Sequence, residues 1–577
     1  MKKQDISVDA LIKMVEAGEL QLPEIQRQYV WRVPRVRDLL DSLYRGYPTG
    51  SILVWETNEP IPTIASAVEQ TSSAFEGKKL LLDGQQRLTS LAAVLRGKPV
   101  TVRGRKRPID ILSNHDHPDI IEFTEVESDT DHPLFDDSAA DENDSDEEGQ
   151  DQQELALTER LNRRTFVVAS KSLEKLPNWV RVTDVFTRPD SAILKRAGVT
   201  SFEDERYERY TARLKRLRSV ADYMYVMHVL EKEKLYEEVA EIFVRVNSLG
   251  MKLRSSDLAL AQISARWRKV HADFDAFIAE AEENWYTLDP GLLVRAMVVF
   301  ASEHCEFSVV GNLKIERLKK GWEQAKEGLR FAINFLRTNA GIEDETLLSS
   351  PFLIIPVAVF GQIRDNHITK EESRQLLYWL LVANTKARYS RGSSETLLNE
   401  DLNILFSDGS PEDLLRPMER QFGRFTVESS DLANRGSRSP LFSMAYLALR
   451  AAGAKDWCSG LGLSLTHQGK LHFIQYHHIF PRARLRRHET GFASGEVNEI
   501  ANLAFISGQT NWSLGAKLPE DYFPEVIAQR GEDALTSQCI PLGPELRQIG
   551  SFRQFLEVRR GMLADALNAH ISRALET

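Results

Sequence analysis

Between Glu127 and Glu154 the chain places thirteen Asp or Glu residues and no Lys or Arg. Like charges at that density repel one another and cannot be desolvated together, so no core can be built from this stretch. Every packed element of the 577 residues must therefore form to one side of it or the other. The run also accounts for the whole formal net charge of −11, because the rest of the chain sums to +2. That remainder carries local basic clusters: Arg96, Lys98, Arg103, Arg105, Lys106 and Arg107 before the run, Arg160, Arg163 and Arg164 after it, and Arg482, Arg484, Arg486 and Arg487 near the C-terminus. Two readings of the acidic segment stay open. It is a solvated insertion, the usual fate of a charge run, or an autoinhibitory mimic of DNA held by the flanking cations.

At about 100–200 residues per domain, this length predicts two to four domains. Hydrophobic residues at 42% and charged residues at 27% match an ordinary globular protein and exclude a disordered or fibrous chain. No apolar run approaches the ~18 residues of a membrane span. The opening MKKQDISVDALIKMVEAGEL is acidic and amphipathic instead of apolar, which predicts no secretory signal, no membrane partner and a cytoplasmic location. Cys305, Cys458 and Cys539 are far apart and odd in number, against a disulfide framework or a zinc ribbon.

Apolar spacing predicts a helix over 7–20, capped by Ser7 or Asp9 and closed near Gly18, and a second over VPRVRDLLDSLYRGYP with Pro34 near its start. Residues 51–55 and 79–84 read as short buried strands, and 85–95 as a helix opening directly from the second strand. That strand–turn–helix sets Asp83, Gly84 and the following amides where a helix N-terminus holds an anion. TFVVAS (165–170) reads as a strand. From about 201 to 455 the periodicity is mainly helical, with no fixed repeat. Gly, His and β-formers return after Ala454, giving a small α+β unit at 456–545 and closing helices at 546–577.

In that small unit His477 and His478 end one strand, Asn502 belongs to a second (NEIANLAFIS), and Asn511 opens a helical stretch. Strand, strand and helix in this order suit a ββα-metal nuclease. Phosphodiester hydrolysis needs a base for water and a hard cation for the charge developing on the phosphate. The assignment is His478 as general base, Asn502 as holder of its loop, and His477 with Asn511 as ligands of Mg²⁺ or Mn²⁺. Histidines that merely satisfy buried hydrogen bonds are commoner than catalytic pairs, so the ordered set carries this reading. YHHIFPRARL followed by NEIANLAFISGQTNWSLGAKLPEDYF resembles the HNH endonucleases, particularly the C-terminal nuclease domain of the GmrSD-type, type IV restriction family. Two positions depart from the pattern. Asn511 stands for the last histidine of the motif, and His477 stands where many relatives have an acidic residue.

A second polar constellation lies near the N-terminus. Asp83-Gly84 alone is an ordinary turn, but it does not explain Gln85-Gln86-Arg87 between an apolar strand and an apolar helix. Gln amides can read a base or bridge phosphates, Arg87 and the Gln26-Arg27 pair can grip phosphate oxygens, and Asp83 can bring a divalent cation to a triphosphate. LPEIQRQYVW, PTGSILVW, LLDGQQRLTSL and FVRVNSLGMKL resemble the ParB-like nucleotidase domain of the same family, marked by DGQQR, an upstream QR and a downstream FxxxN, here Phe243 and Asn247. No GxxxxGK[ST] motif is present. Tyr29, Trp31, Tyr44, Tyr47 and Trp55 read as core packing, and Trp512 as support for the nuclease helix.

The expected architecture is thus α+β and multidomain: a ParB-like α/β domain at 1–260 interrupted by the acidic insert, a helical region at 261–455, a ββα-metal (HNH) fold at 456–545, and C-terminal helices. The resemblance implies an NTP-regulated, metal-dependent DNA endonuclease of bacterial phage defence, acting on DNA that includes modified phage DNA, and requiring two protomers or two visits for a double-strand cut. The alternatives are a DNA- or nucleotide-binding regulator with a non-catalytic C-terminal module, and an RNA-directed nuclease.

Overall fold

The computed structural model describes residues 2–23, 31, 33–57, 63–64, 78–102, 105–118, 164–170, 173–234, 238–239, 242, 255–283, 288–390, 392–465, 474–488 and 491–576. They form two compact units, one drawn from residues 1–271 and one from residue 272 onward. The acidic run lies outside the described residues, as do Gln26, Arg27, Tyr29, Phe243 and Asn247.

The first unit is built on a mixed six-stranded sheet of β1 (Lys2–Ser7), β2 (Leu20–Pro23), β3 (Ile52–Thr57), β4 (Thr63–Ile64), β5 (Lys78–Asp83) and β11 (Met224–Leu230), in the order β1-β11-β3-β5-β2-β4. Successive strand side chains alternate between faces, and here both faces are covered. Ile52, Val54 and Leu81 point into one core with Leu11, Leu40 and Leu91 of the helices Val8–Glu16, Val33–Tyr44 and Gln85–Arg96. Leu53, Trp55, Leu80, Leu82 and Leu230 point into the other, closed by Val239 and Ala261. A central strand buried on both sides has to be a continuous apolar run, which is why SILVW and KLLL read as they do. A hairpin of β6 (Val100–Val102) and β7 (Arg105–Arg107) follows, then an antiparallel sheet β10-β8-β9 of Trp179–Arg181, Ile111–Asn114 and Phe166–Val168.

Local signals set the helix ends. Ser7 accepts from Ala10 N at 3.2 Å and caps Val8–Glu16, and Gly18 leaves that helix with φ +71°. Arg96 and Lys98 pair with Asp9 and Glu16 of the same helix, so these two cations brace the first unit.

The second unit is largely helical. Pro290–Ser302, Ile315–Thr338 and Ile354–Ile363 approach closely because glycines stand at the crossings: a Cβ at Gly321 would lie 2.8 Å from Met297 O, and one at Gly328 2.6 Å from Ala358 O. The last helix, Phe552–Glu576, reaches the two-stranded sheet of β12 (Ile474–His478) and β13 (Leu503–Ser507), where Phe480 packs its ring on Phe552 and Phe555. Phe442 and Tyr446, on Pro440–Ala451, pack against Phe505 of β13, the first ring tilted and the second edge-on. The hairpin therefore shares one core with helices on both sides of it in sequence. The architecture is mixed α and β, with small sheets set among helices.

Candidate active site

β12 and β13 pair antiparallel, with His477 opposite Ala504 and His478 opposite Leu503, and the helix Gly508–Leu514 starts directly from β13. Ser507 caps that helix by accepting from Thr510 N. Beneath the cap lies the buried carboxylate of Asp456, which accepts from Ser507 N at 2.7 Å, Thr510 Oγ1 at 2.8 Å and Ser459 Oγ at 2.6 Å. Burial works to raise the Asp456 carboxyl, but these donors outweigh it and hold it below the usual carboxylate range. Asp456 thus fixes the register of the helix against the strand.

That register brings Asn511 to His477. Asn511 Oδ1 stands 2.8 Å from His477 Nδ1, and its Nδ2 donates to Gln475 Oε1 at 2.9 Å, so the amide is turned with its oxygen toward the imidazole. Trp457 and Tyr522 wall the ring, each with its centroid 6.0 Å away. Burial in this dry box pushes His477 down to about 4, which leaves it neutral at physiological pH. With the amide oxygen toward the ring, Nδ1 is the protonated nitrogen and donates to Asn511 Oδ1, while the lone pair sits on Nε2, which is buried and has no hydrogen-bond partner. As arranged, the His477–Asn511 pair is closed by its own hydrogen bond and does not fit a divalent cation. Among the described residues no cluster of three or more His, Cys, Asp or Glu is arranged to hold a metal.

His478 is fixed from a different side. Its Nε2 lies 3.2 Å from Asn498 Oδ1, while Asn498 Nδ2 donates to Ser494 O and Ser494 Oγ at 3.0 and 3.2 Å. The amide orientation makes Nε2 the protonated nitrogen and leaves a lone pair on Nδ1, which is buried and has no hydrogen-bond partner. Burial, helped by the charge of Arg482, takes His478 to about 3. Asn502, fully buried, lies not in the second strand, as expected, but in the single turn Ile500–Asn502 just before β13, and it clamps the turn after His478: it accepts from Phe480 N at 2.9 Å and donates to Phe480 O at 3.1 Å and Val497 O at 2.9 Å. Asn498 and Asp456 have no reading in the sequence. Asn498 is the first residue of the quoted NEIAN segment, and its i−4 spacing from Ser494 is the one local hint; Asp456 is long-range and gives none.

Trp512 does not support the helix core. It is 69% exposed, because Thr510, Asn511 and Leu514 take the inward positions of this short helix and leave 509, 512 and 513 outward. Tyr44 and Trp55 are core residues as expected, whereas Tyr47 is 54% exposed.

In the first unit Asp83, Gly84, Gln85, Gln86 and Arg87 come together at the start of Gln85–Arg96. Gly84 is the N-cap with φ +102°. Arg87 donates to Thr49 O, to Ser51 O at 2.8 Å and to Asp83 Oδ2 at 3.0 Å, and lies over the Tyr225 ring. Gly50, with φ +92°, makes room for it: a Cβ there would stand 2.5 Å from Arg87 Nη1. Gln86 Oε1 accepts from Trp31 N at 3.2 Å, and Gln85 is buried. The guanidinium thus clamps residues 48–52 to the strand–helix turn. Asp83 remains about one-third exposed beside the first-turn amides.

The first unit thus carries a glycine-capped helix start on a mixed sheet, and the second a buried histidine–asparagine centre on a two-stranded antiparallel sheet. Residues 8–264 match the family described as GmrSD restriction endonuclease, N-terminal domain. This stretch, just under half of the chain, is similar to that N-terminal domain. An uncharacterized protein of Methanocaldococcus jannaschii is 21% identical over 552 residues, covering 90% of this chain and 86% of its own. No helix among the described residues is long and apolar enough to cross a membrane.

Proposed function

We propose that the chain is an NTP-regulated, metal-dependent DNA endonuclease of modification-dependent restriction, with an HNH-type centre in the second unit and a ParB-like nucleotide site in the first. The observation that carries the reading is the His478 ring. Its Nδ1 is buried, unpartnered and neutral, while its Nε2 proton is held by Asn498. A neutral ring with a directed lone pair is what a general base needs, and DNA binding would have to admit water to Nδ1 and raise its proton affinity from the buried value. His478 Nδ1 takes a proton from the attacking water, Asn498 Oδ1 stabilises the imidazolium that results, and Asn502 keeps the following turn in place. For His477 and Asn511 to hold Mg²⁺ or Mn²⁺, their hydrogen bond would have to open and the Nδ1 proton move to Nε2.

In the first unit, the amides opening Gln85–Arg96 are the proposed triphosphate contacts, with Asp83 bringing a divalent cation to the triphosphate and Gln26, Arg27, Phe243 and Asn247 completing the set. Arg87, holding Thr49 O and Ser51 O, fixes residues 49–51 beside this turn and supplies positive charge there. The test is plasmid cleavage with Mg²⁺ or Mn²⁺, on unmodified and modified DNA, with and without NTP. Wild type should cut and His478→Ala should lose at least ~10²-fold; equal cleavage by the two proteins would reject the base assignment. Arg87→Ala should remove any NTP dependence, and an unchanged NTP response would reject the coupling.

One observation favours the non-catalytic alternative: the metal pair carries no carboxylate. Failure of wild type to cut any substrate under every condition would move the assignment there.

A further inference from the structure

The four arginines of RARLRR take no step in the chemistry above beyond the charge that Arg482 and Arg486 set on the His478 ring, and the structure sets a second arginine-bearing segment against the segment that carries Asn498. Residues 434–438 (NRGSR), from the helical part of the unit, are pinned to the segment that carries Asn498. Ile500 N donates to Arg435 O at 2.7 Å, Asn434 N donates to Glu499 Oε2 at 2.8 Å, and Gly436 comes so close that a Cβ would lie 3.0 Å from Asn498 O. Arg435 and Arg438 are exposed on this loop. On the other side, the helix Arg482–Arg487 begins four residues after His478, and Arg482 and Arg486, one turn apart, share a face.

We propose that Arg435 and Arg438 of the pinned loop, with Arg482 and Arg486, form a cradle for the sugar–phosphate backbone of the duplex on either side of the bond that His478 attacks. The proposal rests on the nuclease reading and adds to it the surface that binds the substrate. Two acidic residues of the segment around Asn498 already have cations of their own: Glu496 accepts two hydrogen bonds from Arg553, and Glu499 two from Arg560. The charges of Arg482 and Arg486 both bear on the His478 ring, so they lie within electrostatic reach of the reacting position. Guanidinium groups suit phosphate because their forked donors match its oxygens. A loop already fixed by backbone hydrogen bonds is not ordered anew on binding, so less affinity is lost than with a free arm.

The test uses full-length protein carrying His478→Ala, so that DNA is bound and not cut, and a labelled 30-base-pair duplex followed by fluorescence anisotropy from 50 to 200 mM salt. Adding Arg435→Gln and Arg438→Gln should weaken binding by on the order of tenfold and flatten the log K against log salt slope by roughly 1.8, about 0.9 per lost phosphate contact. Arg482→Gln with Arg486→Gln should do the same, and the corresponding Lys variants should retain most of the slope, which a folding defect would not allow. An unchanged affinity and slope in both Gln pairs overturns the cradle. Absence of salt-dependent binding by the His478→Ala parent overturns it too, and plasmid cleavage by wild type, measured alongside, decides whether the nuclease reading falls with it.

Discussion

His478 has two ring nitrogens in different surroundings, and the difference comes from one side chain. Nε2 faces Asn498 Oδ1, while Nδ1 faces no partner. Removing the Asn498 amide frees the ring to rotate or to protonate at Nδ1, where it can no longer take a proton. Asn498→Ala is expected to lower kcat by about 10²-fold with KM changed less than about twofold; a rise in KM with kcat intact would mean that Asn498 touches DNA instead. Arg559 makes a purely structural case. It is fully buried, and it donates to Ala501 O and Leu503 O at 2.8 Å, Gln538 O at 3.1 Å and Cys539 O at 3.2 Å. Burial lowers it to about 10, so it stays charged at neutral pH, held by carbonyl dipoles. Arg559→Leu strands these carbonyls around the start of β13 and should cost at least ~3 kcal/mol in urea unfolding. A loss below 1 kcal/mol would mean that water replaces the guanidinium.

At the scale of the element, the turn from β5 into Gln85–Arg96 leaves no room for a side chain at its centre. Gly84 has φ +102°, and a Cβ there would collide with Ile52 Cδ1. Gly84→Ala is expected to destabilise by about 2–3 kcal/mol through backbone strain and steric contact together, read as a lower melting temperature of the first unit; an unchanged temperature would show that the turn can reshape. This turn was legible in the sequence because its signals are local: an apolar strand, Asp-Gly, then helical period. The same holds for Val8–Glu16 with its Ser7 cap, and for the order of β12, β13 and Gly508–Leu514. What was not legible depends on partners far away in sequence. Asp456 reaches the cap of Gly508–Leu514 from 51 residues upstream of Ser507, and residues 434–438 reach Asn498 from the helical region. Arg87 read as a free phosphate fork because nothing in DGQQR names Thr49 and Ser51 as acceptors. The exposure of Trp512 could have been read: with Asn511 and Leu514 inward, a 3.6-residue period turns position 512 outward.

Across the whole molecule, both units bury histidines that must be neutral to stay folded. His115 follows β8 in the first unit, buried with both ring nitrogens unpartnered, its ring 5.4 Å from that of Tyr210. Burial first, then the charge of Arg213, takes it down to about 4. In the second unit His477 and His570 are at about 4 and His478 at about 3. An unfolded histidine titrates near 6.5. Between pH 6.5 and about 4 the unfolded chain therefore binds protons that the folded chain does not. Stability is full above about pH 7, falls as pH drops through that window, and levels off below it. For His115 alone the loss between pH 7 and pH 5 is about 2 kcal/mol. Replacing it by leucine removes both the titration and two unsatisfied buried nitrogens, so His115→Leu should flatten the acid side of the first unit's stability curve by about that amount while leaving pH 8 stability equal or higher. Urea midpoints at pH 8, 7, 6 and 5 decide the matter: parallel curves for wild type and variant would mean that the ring is already solvated in the folded state, and that the acid sensitivity of this unit arises elsewhere.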